Sequence, residues 1–132
     1  ISNISLSSEN TVWNDAIPAH LIDMEDSTSM VIETGNIDAE SILFLVGIDS
    51  LTNVSGILDG DLDPIKGMYW SWNSGYINFK LEGKSSHFKE NSGSFEFHIG
   101  GYLPPYKTVQ EIYLPINESR NTIEIEIELW KV

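Results

Sequence analysis

Strict alternation of apolar and acidic residues runs through the last part of the chain. Ile123, Ile125 and Ile127 occupy every second position, and a glutamate stands between each neighbouring pair. In an extended strand, alternate side chains point to opposite faces, so the isoleucines would face a core and the glutamates would face water. A helix would scatter the same isoleucines around its axis. The pattern therefore predicts a β-strand over residues 122–129.

Shorter runs of the same kind occur along the rest of the chain, and turn-forming residues separate them. Taken together, the runs and turns predict about eight short strands and no convincing helix. This pattern favours an all-β fold, an antiparallel β-sandwich, and a partly open barrel is the competing architecture. Besides 122–129, the predicted strands cover residues 1–6, 19–24, 29–33, 42–48, 67–72, 76–82, 94–99 and 109–115.

The length and composition are typical of one folded domain. Of the 132 residues, 41% are hydrophobic and 11% are aromatic, which is enough for a core without covalent staples. We expect residues 1–132 to form a single domain trimmed at both ends from a longer protein, because the chain opens and closes on strand-like residues. Cysteine is absent from the sequence, so disulfides and thiolate metal ligands are excluded.

The charge of the chain excludes some classes of partner. Acidic residues number 20 against 7 basic ones, which gives a net charge of −13. Such a chain repels phosphate backbones, so we exclude nucleic-acid binding. No run approaches the ~20 apolar residues that a transmembrane segment needs. An acidic surface suits a cation ligand, although solubility alone explains the same composition.

Aromatic residues are densest in residues 67–83. If residues 68–72 are extended, Met68, Trp70 and Trp72 lie on one face of the strand. Two indoles and a thioether form either an apolar core wall or a surface that faces a ligand, and a thioether also suits Cu(I). The pattern alone favours the core, because tryptophan is highly buried on average.

The three histidines, His20, His87 and His98, are the nitrogen ligands that a metal site would use. Neutral imidazole suits copper and zinc. No pair of the His-x-His type occurs, so any site has to be assembled by the fold, and a lone strand histidine is more often structural or solvent-exposed. In the predicted strand 94–99, His98 shares a face with Glu96.

A second candidate metal site uses oxygen ligands. Asp59, Asp61 and Asp63 stand at alternate positions, and three such carboxylates can surround a hard cation such as calcium. An EF-hand would have glycine and glutamate where this loop has Pro64 and Trp70, so the loop is not an EF-hand. The alternative is a turn in which the aspartates accept hydrogen bonds from local amides.

Enzyme motifs are missing from the sequence. There is no nucleophile elbow, phosphate loop, dinucleotide fingerprint or metalloprotease motif, so we expect a binding protein and not an enzyme. One alternative function is a carbohydrate- or protein-binding surface module without metal, and another is a structural subunit of a surface assembly. The aromatic residues that such a binding module would present are Trp13, Tyr102, Tyr106 and Trp130.

The aromatic segment and its lead-in resemble the MbnP-like family, in its Bacteroidetes-type branch. That family shares a Leu-Asp-Pro turn, here residues 62–64, and a Gly-Met-Tyr/Phe-Trp-x-Trp-x-Ser-Gly-Tyr run, here residues 67–76. Four further pieces match in family order and extend the resemblance over nearly the whole chain. They are residues 1–4, His-Leu-Ile-Asp at 20–23, Val-Gly-Ile-Asp at 46–49 with Asn53, and Phe-His-Ile-Gly at 97–100.

The resemblance implies a β-sandwich in the periplasm or on the outer cell surface, often as a lipoprotein. It implies copper binding for storage, delivery or sensing, with His20 and His98 as ligands. It also implies a partner, a dihaem enzyme of the bacterial peroxidase type that oxidises a tryptophan to kynurenine beside the copper. By motif position, that tryptophan is Trp70 or Trp72.

Overall fold

A computed structural model describes residues 1–71, 73, 75–87, 91–117 and 121–128. Within these residues, the strands form two antiparallel sheets, and the longest helix is the five-residue α1 (Ser50–Val54). The all-β class is therefore confirmed, and the two sheets are consistent with the predicted sandwich. In chain order, the strands are β1 (Ser2–Ser7), β2 (Val12–Asn14), β3 (Ser41–Val46), β4 (Tyr69–Trp70), β5 (Gly75–Lys84), β6 (Ser94–Gly100) and β7 (Gln110–Pro115).

The larger sheet has the strand order β2-β1-β3-β7, and each neighbouring pair is antiparallel. Alternate apolar residues of β1 and β3 point to the same side and form the first core. Half-buried side chains from other segments, among them Ile32, Ile37 and Leu114, pack against it. The buried members of this core are Ile4, Leu6, Ile42 and Phe44.

The smaller sheet has the order β4-β5-β6. Its dominant feature is the antiparallel β5–β6 pair, in which Lys80 lies opposite His98 and Glu82 lies opposite Glu96. Because opposite residues of such a pair point to the same side, one face of the hairpin is polar. The other face carries the apolar residues Phe79, Leu81, Phe95, Phe97 and Ile99.

A second core joins the smaller sheet to the loops around it. Tyr76 of β5 is buried there, and its ring meets the ring of Tyr69 edge-on at a centroid distance of 5.0 Å. The Tyr76 hydroxyl donates to the carbonyl of Leu62 at 3.0 Å. The core therefore holds the start of β5 in place. Its buried members are Ala19, Ile48, Leu62 and Tyr76.

Helix α1 is fixed to β5 by a buried amide. Its N-cap residue Asp49 accepts a hydrogen bond from the Thr52 amide at 2.9 Å. One turn on, the side chain of Asn53 is buried; it donates to the carbonyl of Ile48 at 2.8 Å and accepts from the amide of Tyr76 at 2.9 Å. Asn53 therefore satisfies backbone groups on both sides of the junction.

Most predicted strands are present, but three are wrong. Residues 19–24 contain an isolated bridge between Ser2 and Ala19 and no strand. Residues 29–33 overlap a 3-10 helix, Ser27–Met30, because the Asp26 carboxylate accepts from the Thr28 amide and caps that turn. Strand β2 and helix α1 were not predicted, and the predicted strand at 67–72 is reduced to β4.

The third wrong strand is the C-terminal one with the perfect alternation. Residues 122–128 adopt no strand, and the exposed fractions of Ile123, Ile125 and Ile127 are 37%, 39% and 66%. Alternation states which residues share a face, but a strand also needs a neighbouring edge to bond to. Residue 129 lies outside the described residues.

Candidate metal centre

The polar face of the β5–β6 hairpin brings three possible metal ligands together. Glu82 on β5 lies directly opposite Glu96 on β6, and His98 follows Glu96 by two residues on the same face. One ligand atom from each of these side chains lies within 4.8 Å of the other two. The register of the hairpin therefore assembles one imidazole and two carboxylates at one place.

Glu82 is the centre of this group. Its Oε1 lies 2.6 Å from Nε2 of His98, and the ring nitrogen donates because an ionised carboxylate only accepts. The side chain of His98 is 28% exposed and that of Glu82 is 45% exposed. Hydrogen bonds from His98 and then from Lys80 lower the pKa of Glu82 below its ordinary value, so the carboxylate is ionised at neutral pH.

The arrangement has a charge imbalance that a cation would relieve. Two carboxylates placed directly opposite each other on a strand pair repel and destabilise the pair. His98 and Lys80 offset this at Glu82. Two carboxylates with one imidazole suit divalent ions such as Cu²⁺ and Zn²⁺, and three protein ligands leave a coordination position open.

Trp70 lies at the end of the same face. Its indole packs so close to Gly100 that a Cβ there would lie 2.7 Å from the Trp70 Cζ3 atom. Gly100 follows His98 by two residues on β6, a separation of roughly 7 Å along a strand. The indole is therefore a neighbour of the candidate centre. Trp72, the other candidate for the cofactor, lies outside the described residues.

His20 has a different environment from His98. Its Nε2 lies 2.7 Å from Oδ2 of Asp15, and the two side chains are 15% and 6% exposed. The backbone amide of Asp15 donates to Ile4 of β1, so this pair belongs to the larger sheet. Throughout the described ranges, the only group of three or more His, Asp or Glu ligand atoms is the one on the hairpin, and His20 is not part of it.

His87 and Met68 also lie apart from this group. His87 is exposed in the loop after β5, where its Nδ1 lies 3.4 Å from Oγ of Ser85. Met68 is half-buried just before β4, and its carbonyl accepts from the Ile77 amide at 2.9 Å. Met68 thus extends the β4–β5 pairing.

The three aspartates of the 59–63 loop differ in their hydrogen bonds. Asp61 accepts from the Leu21 amide at 3.0 Å, and Asp63 accepts from the Ile65 amide at 2.9 Å, where it caps the 3-10 helix Pro64–Lys66. Asp59 precedes another 3-10 helix without such a bond. Their carboxylates do not form a group of three close ligand atoms, and Asp63 makes the local amide bond that the turn alternative predicts.

The aromatic residues proposed for a surface module are not alike. The indole of Trp13 lies directly against Gly35 and packs on the first core. Tyr102 is half-buried, whereas Tyr106 is 78% exposed. Trp130 lies outside the described residues. Among the four, Tyr106 is therefore the ring that the described surface presents.

Sequence reasoning missed Glu82 and Lys80 as parts of the centre. The predicted strand 76–82 contained both residues, but alternation does not give the pairing partner. Their position next to His98 depends on the β5–β6 register, which includes a shift between Ile77 and Phe79. Predicting their position requires the register of the β5–β6 pair, and the sequence pattern does not give that register.

The imidazole and the two carboxylates on one strand pair of this all-β chain form a candidate metal site. The chain belongs to the MbnP family, whose family model matches residues 1–132, the whole of the chain. This confirms the family resemblance, and membership suggests a copper-related, extracytoplasmic role. Neither the curated proteins nor the solved structures contain a match to the chain. Across the described ranges, every helix is too short or too polar to cross a membrane.

Proposed function

We propose that this chain is an extracytoplasmic copper-binding domain that stores, delivers or senses the metal and does not act as an enzyme. One observation carries the proposal: Glu82, Glu96 and His98 offer ligand atoms within 4.8 Å of one another in a protein of the MbnP family. Cu²⁺ is the ion that the ligand set suits best within a copper-related family, because imidazole and carboxylate are harder ligands than the sulfur that Cu(I) prefers.

Copper would replace an existing hydrogen bond at this site. The Nε2 atom of His98 now donates to Glu82, and a nitrogen that donates cannot coordinate a metal at the same time. Binding through that nitrogen would therefore require its proton to leave Nε2: in a neutral ring the proton moves to Nδ1, and in an imidazolium it is released. Glu82 would be left positioned beside the metal. Metal affinity should rise with pH wherever protons compete with the metal for the ligand atoms.

The family resemblance extends the proposal to a maturation partner. A dihaem peroxidase-like protein would oxidise Trp70 or Trp72 to kynurenine, and the Trp70 indole against Gly100 is the described candidate. The conversion replaces one carbon by one oxygen, so the mass of the intact protein from its native host reports it. Location in the periplasm or on the outer surface, with a lipid anchor in the full-length protein, is part of the same proposal.

Copper titration of variants tests the proposed site. His98→Ala should bind Cu²⁺ at least about tenfold more weakly than the wild type, since it removes the imidazole ligand. His87→Ala is the matched control, because this exposed histidine lies outside the ligand group. Equal loss in both variants, or unchanged affinity in His98→Ala, would remove His98 from the site.

The alternative is a carbohydrate- or protein-binding surface module without metal. The exposed ring of Tyr106 is the feature that favours it. Absence of copper binding by protein from the native host, together with glycan binding that Tyr106→Ala abolishes, would select this alternative.

A further inference from the structure

Lys80 stands on the polar face directly opposite His98. Its Nζ lies 3.3 Å from Oε1 of Glu82, and the lysine side chain is 30% exposed. That carboxylate oxygen is the same atom that lies 2.6 Å from Nε2 of His98. An ammonium and an imidazole therefore share one oxygen of the candidate centre.

A metal ion would need the atom that Lys80 contacts. Two cations held within about 4 Å of each other repel, and the repulsion grows when the site is partly shielded from water. An incoming ion must therefore displace the ammonium from Glu82 before it gains that ligand. The ammonium is part of the Lys80 side chain, so its electrostatic repulsion acts on every ion that enters the site.

We propose that Lys80 is an internal competitor that makes the centre selective for ions that bind imidazole. In the metal-free protein, the lysine neutralises Glu82. Ions that bind through oxygen alone, such as Ca²⁺ and Mg²⁺, gain nothing from His98 and do not displace it. Cu²⁺ and Zn²⁺ gain a nitrogen ligand in addition to the carboxylates and therefore displace it. This inference rests on the proposed metal centre.

Lys84 provides a matched control for the test. It lies on the same strand and the same face, opposite Ser94 and four residue pairs from the pair that Lys80 forms with His98. Replacing Lys80 or Lys84 by methionine changes the net charge by the same amount and keeps a side chain of similar length. Only the first replacement removes the ammonium that contacts the Glu82 oxygen.

The experiment is calorimetric titration of wild type, Lys80→Met and Lys84→Met with Cu²⁺ and with Ca²⁺ at one pH and ionic strength. Circular dichroism first establishes that all three are folded. Lys80→Met should bind Cu²⁺ roughly tenfold tighter than the wild type and should gain measurable Ca²⁺ binding. Lys84→Met should stay within about twofold of the wild type, because Lys80 and not Lys84 is the lysine paired with the Glu82 oxygen that the ion needs.

The other outcomes distinguish failure of the competition by Lys80 from failure of the proposed metal centre. If both variants tighten equally, the effect is one of net charge, and competition by Lys80 is wrong. If Lys80→Met binds Cu²⁺ as the wild type does, or more weakly, competition is also wrong while the centre itself stands. If the wild type binds no Cu²⁺ but Lys80→Met does, Lys80 blocks the centre to Cu²⁺ as well, so the proposed selectivity and the proposed copper binding by the wild type are both wrong. If none of the proteins binds either ion, the proposed centre and the competition both fall.

Discussion

The four-stranded sheet and the β5–β6 hairpin use the same alternation of apolar and polar residues but bury it differently. In the sheet, Leu6 and Phe44 are 2% and 6% exposed. In the hairpin, Phe97 and Ile99 on the apolar face are 49% and 42% exposed. Apolar burial is therefore deeper in the sheet than at these β6 positions, and the opposite face of the β5–β6 ladder aligns charged side chains. Substitutions in the two regions should separate folding from binding.

The largest expected effect is on stability in the sheet. Leu6→Ala removes a fully buried side chain from the first core and should lower the free energy of unfolding by about 3 kcal/mol. Phe97→Ala removes a larger but half-exposed side chain and should cost about 1 kcal/mol or less. Urea denaturation of both variants measures the contrast. Similar losses in the two would show that the apolar face of the hairpin is buried in solution.

The next effect concerns the junction between the two regions. Asn53→Ala leaves the amide of Tyr76 and the carbonyl of Ile48 without their buried partner. The expected loss in unfolding free energy is about 2 kcal/mol, the desolvation penalty of unsatisfied groups. Thr52→Ala, one residue earlier, is the control and should cost less. Equal thermal melting of Asn53→Ala and wild type would contradict this role.

Gly100→Ala should perturb the edge of the candidate centre. An added Cβ would lie 2.7 Å from Trp70 Cζ3 and 2.8 Å from the carbonyl oxygen of Tyr76. Because a backbone atom cannot move aside cheaply, we expect a loss of about 1 to 2 kcal/mol, with a shift in tryptophan fluorescence as the indole moves. Gly56→Ala cannot serve as a control for the added Cβ, because the left-handed φ of 88° at Gly56 would itself strain an alanine. An unchanged emission spectrum would place the Trp70 indole elsewhere.

The smallest expected effect is the stability lost when the N-cap of α1 is removed, and this loss depends on pH. Burial raises the pKa of Asp49, but hydrogen bonds from Thr52 and Asn3 lower it more, so the net pKa lies below its ordinary value. A lowered folded pKa means that the ionised cap stabilises the fold above the unfolded value of about 3.9 and is lost as pH falls through the folded value. Asp49→Ala should cost about 1 kcal/mol at pH 7. That difference should shrink below about pH 4.

Unfolding of both proteins at several pH values checks this prediction. A difference that grows on acidification would mean that the protonated carboxyl is the better cap, against the direction of the pKa shift.

The same comparison shows how far sequence alone could reach. Apolar alternation predicted β1, β3, β5, β6 and β7 well, because each of these strands has a neighbour to bond to. It failed at 122–128, where the alternation is strongest and no strand forms. It failed again at 29–33, where Asp26 caps a 3-10 turn. Local pattern thus predicts faces, whereas pairing depends on distant edges and on caps.

In the candidate centre too, local pattern predicts some residues and strand pairing determines the others. His98 and its shared face with Glu96 followed from the sequence, since both lie on one strand. The placement of Glu82 and Lys80 depends on the β5–β6 register. His98 belongs to the group of three ligand atoms, whereas His20 pairs with Asp15 outside that group. Residue types and their spacing indicated metal binding. Which residues lie together depends on the pairing of strands that are distant in sequence.

Electron spin-echo spectroscopy of the Cu²⁺ complex tests the central claim most directly, because it counts the imidazoles bound to copper. The proposed centre contains one imidazole, that of His98. We expect the modulation pattern of a single imidazole in the wild type and its loss in His98→Ala, with His20→Ala unchanged. A two-imidazole pattern, or a signal that disappears in His20→Ala, would contradict a copper centre built on the β5–β6 hairpin.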